Sequence, residues 1–190
     1  MDQAYWNERY RSGKTGWDIG KISPPLKAYI DQLDNRDLRI LIPGCGFGHE
    51  GRYLWEKGFH QTHLLDFSEH PKVLMLNADP TYFPEENWII KDFFEHTGEY
   101  DLILEQTLFC AIHPEKRNEY ARKAAMLLRP GGKLVGLLFN RQFDGGPPFG
   151  GSREEYEECF KPYFKHVNME VCYNSIEPRS GAELFIQLEK

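Results

Sequence analysis

Leu38-Arg39-Ile40-Leu41-Ile42-Pro43-Gly44-Cys45-Gly46-Phe47-Gly48 is an apolar run that breaks into three closely spaced glycines. The run reads as a buried strand. Glycines let the backbone turn sharply and approach a ligand with no Cβ in the way. Asp66 ends a second apolar run, His63-Leu64-Leu65, where a carboxylate can accept hydrogen bonds from ribose hydroxyls. Together these parts describe a nucleoside site. Gly46-Phe47-Gly48-His49-Glu50-Gly51 also matches the G-x-G-x-x-G dinucleotide fingerprint. A tight strand–helix turn in an unrelated α/β protein would look the same, so the turn alone does not decide.

On either side of this stretch the chain alternates. Strand-like runs fall at 38–43, 62–66, 88–90, 101–105 and 133–139, with helix-like segments at 49–57, 70–78 and 114–128. Pro24-Pro25 opens an earlier helix over 24–34. In the 114–128 segment, Pro114 and Glu115 suit a first turn, Tyr120, Ala121, Ala124, Ala125 and Leu128 recur at helical spacing, and Arg129-Pro130-Gly131-Gly132 stops it. Alternating strands and helices imply a parallel sheet covered on both faces. The tail differs: a helix over 153–164 is followed by strands at 170–174 and 183–189 with no helix between them. Such neighbours pair antiparallel. The expectation is one α/β domain over 1–190, a mostly parallel seven-stranded sheet with an antiparallel C-terminal edge pair. Residues 1–23 form an ordered but irregular aromatic arm. This is the Rossmann-like arrangement of class I S-adenosylmethionine-dependent methyltransferases rather than of an all-parallel dehydrogenase domain.

Composition narrows the partners. The chain has 190 residues, 41% apolar and 14% aromatic, enough for one well-packed core. A net charge of −6 with no basic run argues against nucleic acid or an anionic membrane as partner. Cys45, Cys110, Cys159 and Cys172 are scattered, without Cys-x-x-Cys or a Cys/His cluster. Reduced thiols in a cytoplasm are expected, with no disulfide framework and no metal site. The first residues lack a basic region followed by an apolar stretch, so no secretory signal is expected. His60, His63 and Met75 carry no chemistry in this reading.

Trp88-Ile89-Ile90-Lys91-Asp92-Phe93-Phe94 places Asp92 just past a third strand. There it can accept from an adenine amino group while Phe93 packs on the ring. Two acids ending successive strands after a glycine turn favour a nucleoside methyl donor, which needs no phosphate-binding helix end. Asp101-Leu102-Ile103-Leu104-Glu105-Gln106-Thr107 is a fourth strand with polar residues at its carboxyl end, where ligands of open α/β sheets sit. Glu105 and Gln106 either approach the reacting methyl and the donor's amino-acid end, or one of them caps the following turn. Pro130-Gly131-Gly132 reads as the turn into the fifth strand. Asp144-Gly145-Gly146-Pro147-Pro148-Phe149-Gly150-Gly151-Ser152 is a loop rich in Gly and Pro, a candidate lid or substrate wall carrying Phe149.

With these motifs in view, the chain resembles the thiopurine S-methyltransferase family, especially its thiol and halide methyltransferase branch, over nearly its full length. The resemblance rests on Trp6-Asn7-Glu8-Arg9-Tyr10 with Gly16-Trp17-Asp18, on Ile42-Pro43-Gly44-Cys45-Gly46 and on Leu65-Asp66-Phe67-Ser68. It continues through Lys91-Asp92-Phe93-Phe94, Phe109-Cys110-Ala111-Ile112-His113-Pro114 and Gly146-Pro147-Pro148-Phe149. It implies S-adenosylmethionine as cofactor and a small soft methyl acceptor: a thiol, a thiopurine-like thiol, a halide, thiocyanate or a chalcogen oxyanion. Trp6, Tyr10 and Trp17 would cover the donor, Gly44 and Gly46 would approach its methionine part, and Asp66 with Ser68 would hold the ribose. Asp92 and Phe93 match the adenine pocket. Gln106 stands where the thiopurine enzyme has an arginine at the donor, so direct carboxylate pairing is absent there. Arg179 falls near an arginine implicated at the substrate, and Arg141 or Arg179 would steer an anion. A neutral thiol would need Glu105 or a water as base. The expected state is a monomer or weak homodimer. Two rival readings stay open at this point: an NAD(P)-dependent oxidoreductase, and a nucleoside-binding module without turnover.

Overall fold

In the computed structural model, which describes residues 1–190, the central strands send alternate residues into two separate cores. Ile40, Ile42, Leu64, Leu102, Leu104 and Val135 enter one, with Leu26 and Ile30 of α2 (Pro24–Ile30) and Leu54 of α3 (His49–Glu56). Leu41, Leu65, Ile103 and Leu134 enter the other, against α5 (Arg117–Leu127) and α6 (Arg153–Phe160). Period-two alternation on a sheet buried on both faces gives this division.

The sheet order is β3-β2-β1-β4-β5-β7-β6. β1 (Ile40–Pro43), β2 (Thr62–Asp66), β3 (Trp88–Ile90), β4 (Tyr100–Gln106) and β5 (Leu128–Phe139) run parallel. β7 (Glu183–Glu189) is antiparallel to both β5 and the edge strand β6 (His166–Val171). The expected class, including the antiparallel end, is the one observed. The chain leaves β1 for β2 on one side and returns to β4 on the other, so a crevice opens at the carboxyl ends of β1 and β4.

Several boundaries differ from expectation for local reasons. The arm is helical over α1 (Gln3–Arg11): the Asp2 carboxylate caps it by accepting from Tyr5 N at 2.9 Å. Residues 114–116 form a 3-10 turn ahead of α5. Pro130-Gly131-Gly132 lies inside β5, at a register shift opposite Tyr100 and Leu102. β6 occupies 166–171 rather than 170–174. α4 (His70–Ala78) lies where the sequence placed it, and no helix is long and apolar enough to cross a membrane.

Candidate active site

A cavity of about 570 Å³ opens at the carboxyl ends of the strands. Its floor is Gly44, Leu65, Asp66 and Thr107, and the arm roofs it with Trp6, Tyr10 and Trp17. The floor requires glycine at Gly44: φ is +62°, and a Cβ there would stand 2.8 Å from Leu108 Cβ. Asp66 is buried, and each of its carboxylate oxygens accepts one backbone N–H, from Gly46 at 3.0 Å and from Ser68 at 2.9 Å. Burial pushes its pKa up to about 6, with the backbone donors pulling the other way. Each oxygen keeps a lone pair for a further donor. The roof is an aromatic cluster in edge contact, Trp6–Trp17 at 5.4 Å, Tyr10–Trp17 at 5.5 Å and Tyr10–Phe47 at 5.6 Å.

Beyond Gly44 the crevice narrows to a recess of about 40 Å³ beside Gly46, Gln106, Asp18, His49 and Glu50. Gln106 Oε1 is buried there with no hydrogen-bond partner. Asp18 pairs with His49 at 2.9 Å, which ties the arm to the start of α3. Glu50 is buried in the first turn of α3, accepting from Ser23 N at 3.1 Å. Thr107, with φ +66°, is the only non-glycine residue in the left-handed region, and it lines both the cavity and the recess. Backbone held in such a conformation marks functional sites.

The opposite wall comes from loops. Cys110–His113, Phe139, Arg141, Phe143, Pro147–Pro148 and Arg179 face the space across from Asp66. Arg179 donates to the Trp17 carbonyl at 2.9 Å and meets Glu183 at 3.5 Å, so the tail fastens the arm. Arg9 lies over the Trp17 ring at 5.3 Å, and Arg141 over Phe143 at 4.7 Å.

Residues 1–185 match the thiopurine S-methyltransferase family. The chain belongs to that family. Thiocyanate methyltransferase 1 of Brassica oleracea is 32% identical over 194 residues, covering 96% of this chain and 83% of the relative. Probable thiol methyltransferase 2 of Arabidopsis thaliana is 31% identical over 187 residues, covering 94% and 81%. The fold is shared with a Burkholderia thailandensis 1,6-didemethyltoxoflavin-N1-methyltransferase, solved with S-adenosylhomocysteine (TM-score 0.71, 18% identity, 99% of this chain and 86% of the other). This family member is an S-adenosylmethionine-dependent methyltransferase.

The cavity gathers Trp6, Tyr10, Trp17, Gly44, Asp66, Asp92, Phe93, Arg141 and Arg179, with Gly46 and Gln106 in the recess. Three expected residues do not face it. Glu105 has no exposed surface: its carboxylate accepts from Phe109 N at 2.9 Å and from the Tyr120 hydroxyl at 2.5 Å. It therefore caps the turn after β4 instead of reaching the reacting atoms, and it is unavailable as a base to an acceptor. Burial raises its pKa to about 7, with Tyr120 and the backbone opposing. Ser68 is fully buried and donates to Asn7 at 2.6 Å, linking the Asp66 turn to the arm. Phe149 turns back onto His113, ring centres 5.4 Å apart, and leaves Pro147 and Pro148 to line the wall. Sequence reading missed Arg9, which follows Trp6 by three residues and so shares its helix face. It also missed Lys91 and Lys116, whose cavity position depends on the turns after β3 and before α5.

Proposed function

We propose that this protein methylates a small anionic, soft nucleophile, a thiolate or an anion of thiocyanate, halide or chalcogen-oxyanion type. The observation carrying this reading is the charge of the cavity. Five cationic side chains line it, Arg9, Lys91, Lys116, Arg141 and Arg179, against two carboxylates, Asp66 and Asp92. The chain as a whole is −6. Both carboxylates stand on the donor side, Asp66 at the end of β2 and Asp92 two residues past β3. On the loop wall Arg179 is paired with Glu183 outside the cavity lining, and Arg141 has no carboxylate partner. An excess of positive charge in a low-dielectric cleft of an acidic protein attracts and orients an anion.

The donor side suits S-adenosylmethionine. Asp66 would accept from the ribose hydroxyls, Asp92 and Phe93 would hold the adenine, and the orphaned Gln106 Oε1 would accept from the methionine ammonium beside Gly44 and Gly46. Buried Glu50 and the Asp18 carboxylate near the start of α3 oppose a pyrophosphate there, which disfavours a dinucleotide and the oxidoreductase reading. The cofactor supplies a sulfonium methyl already activated for in-line displacement. The chain's own task is to exclude water, through Trp6, Trp17 and the Pro147–Pro148 wall, and to align the two partners. Alignment of this kind is worth roughly 7–11 kcal/mol in ideal cases. An acceptor that arrives ionised loses no proton, which agrees with a Glu105 turned inward. We also read the protein as a cytoplasmic monomer or weak homodimer; its four cysteines are free and buried.

The test is an acceptor panel with S-adenosylhomocysteine detection, covering thiocyanate, iodide, tellurite, arylthiols and neutral thiols. Higher kcat/KM toward anions than toward size-matched neutral acceptors is expected. Equal values would overturn the anionic reading, and donor binding without turnover on any acceptor would favour a binding module.

A further inference from the structure

Arg117 opens α5 outside the cavity, 9% exposed, and none of the chain's ion pairs involves it. Its guanidinium packs beside an edge-to-face ring pair, 5.1 Å from the centre of Phe109 and 5.5 Å from that of Tyr156, whose own centres are 5.4 Å apart. Its Nη2 donates to the carbonyls of Gly150 at 2.7 Å and Phe149 at 3.3 Å, and its Nε has no partner. A buried charge without a counter-charge is costly unless dipoles and polarisable faces replace water. Here the replacements are the two carbonyls at the end of the Gly-Pro-Pro-Phe loop and the two aromatic faces.

The same short segment is held laterally as well. Phe149 N donates to the Cys110 carbonyl at 2.7 Å, and Gly151 N to that of Arg141 at 3.0 Å. Gly150 is pressed so closely that a Cβ would stand 1.8 Å from the Arg141 oxygen. The two stretches lining the loop wall, Cys110–His113 and Arg141–Pro148, are thus joined at residues 149–151, directly above Arg117.

We propose that Arg117 is the positioning residue of the acceptor wall: its guanidinium, acting through the Phe149 and Gly150 carbonyls, sets where Arg141, Pro147 and Pro148 stand. This rests on the reading above that the loop wall receives the acceptor. Lysine is not equivalent, because its compact, strongly hydrated ammonium lacks the planar guanidinium surface that packs against Phe109 and Tyr156 in a buried site.

The test compares wild type, Arg117→Lys and Gly150→Ala in the full chain. Donor affinity is measured by calorimetry, and KM and kcat with thiocyanate and with thiophenolate. Both variants are expected to bind the donor within about twofold of wild type while KM for the acceptor rises about tenfold, ~1.4 kcal/mol. Tryptic cleavage after Arg141 should quicken in both, with other sites unchanged. Unchanged acceptor KM and unchanged cleavage in a folded Arg117→Lys variant would overturn the proposal. So would equal losses of donor and acceptor affinity, or an Arg117→Lys variant that fails to fold while Gly150→Ala, folded, leaves KM and cleavage as in wild type. If wild type turns over no acceptor of the panel above, the proposed function fails on its own; cleavage after Arg141 still decides the role of Arg117.

Discussion

Asp66 and Arg179 face one cavity from opposite sides, and they are held by different means. Asp66 is fixed by backbone N–H groups of Gly46 and Ser68, both at turns that leave neighbouring parallel strands. Arg179 is fixed by the carbonyl of Trp17, 162 residues away, and by Glu183. The donor half is therefore made by the sheet itself, while the acceptor half exists only once arm, tail and loop have closed. A fold built this way can change its acceptor without disturbing its donor.

Removing Asp66 is the largest blow to the donor half. Asp66→Ala should weaken donor binding by about 1–3 kcal/mol, roughly five- to more than a hundredfold, because ribose hydroxyls and two backbone donors all lose their acceptor. Calorimetry on the folded variant measures this, and the order of acceptor preference in the residual turnover should stay as in wild type. Unchanged affinity would take Asp66 out of the donor site.

Glu105 tests whether the boundary between the halves is structural. Glu105→Ala should lower stability by about 1–3 kcal/mol, since Tyr120 OH and Phe109 N would be buried without an acceptor. Denaturant unfolding reads that loss. Glu105→Gln keeps the shape and should retain kcat. A collapse of kcat in folded Glu105→Gln would return Glu105 to the chemistry.

Arg179→Gln acts mainly on the acceptor half, with Trp17 as its one link to the donor roof. About tenfold lower kcat/KM toward anionic acceptors is expected, on the order of one charge-assisted hydrogen bond, with a smaller loss toward neutral ones. Equal losses would mean that Arg179 serves mainly to fasten Trp17.

The donor half was legible because its parts are local in sequence. An apolar run, a glycine turn and an acid at a strand end place Asp66 without knowledge of the rest of the chain. Glu105 was left open, although strand alternation carried a signal: it shares parity with Ile103, which enters the core containing Tyr120. Gly136 completes that buried site, since a Cβ there would stand 2.3 Å from the Glu105 carbonyl oxygen. The arm reads as irregular in sequence, although Asp2 as a cap and Trp6 and Tyr10 one turn apart carry a helical signal; Gly13, Gly16 and Gly20 and the many polar residues mask it. The acceptor wall was not legible. Pairs such as Arg179 with Trp17 or Arg117 with Gly150 join distant segments through backbone carbonyls, which every residue carries and no sequence pattern marks.

A last effect is one of pH, and it sharpens the same contrast. Asp66 has a folded pKa of about 6 against a reference of 3.8. The native state therefore binds the extra proton between these values, and Asp66's contribution to stability falls as pH rises through that window, by up to about 3 kcal/mol. Donor binding runs the opposite way, because ribose hydroxyls favour the ionised carboxylate. With half the sites protonated at pH 6, donor affinity there should be about twofold below its value at pH 8, and about tenfold below at pH 5. Asp66→Asn should flatten this profile while leaving the pH dependence of acceptor KM as in wild type. A donor profile that stays steep in Asp66→Asn would place the titrating group elsewhere and dissolve the division between a sheet-built donor half and a loop-built acceptor half.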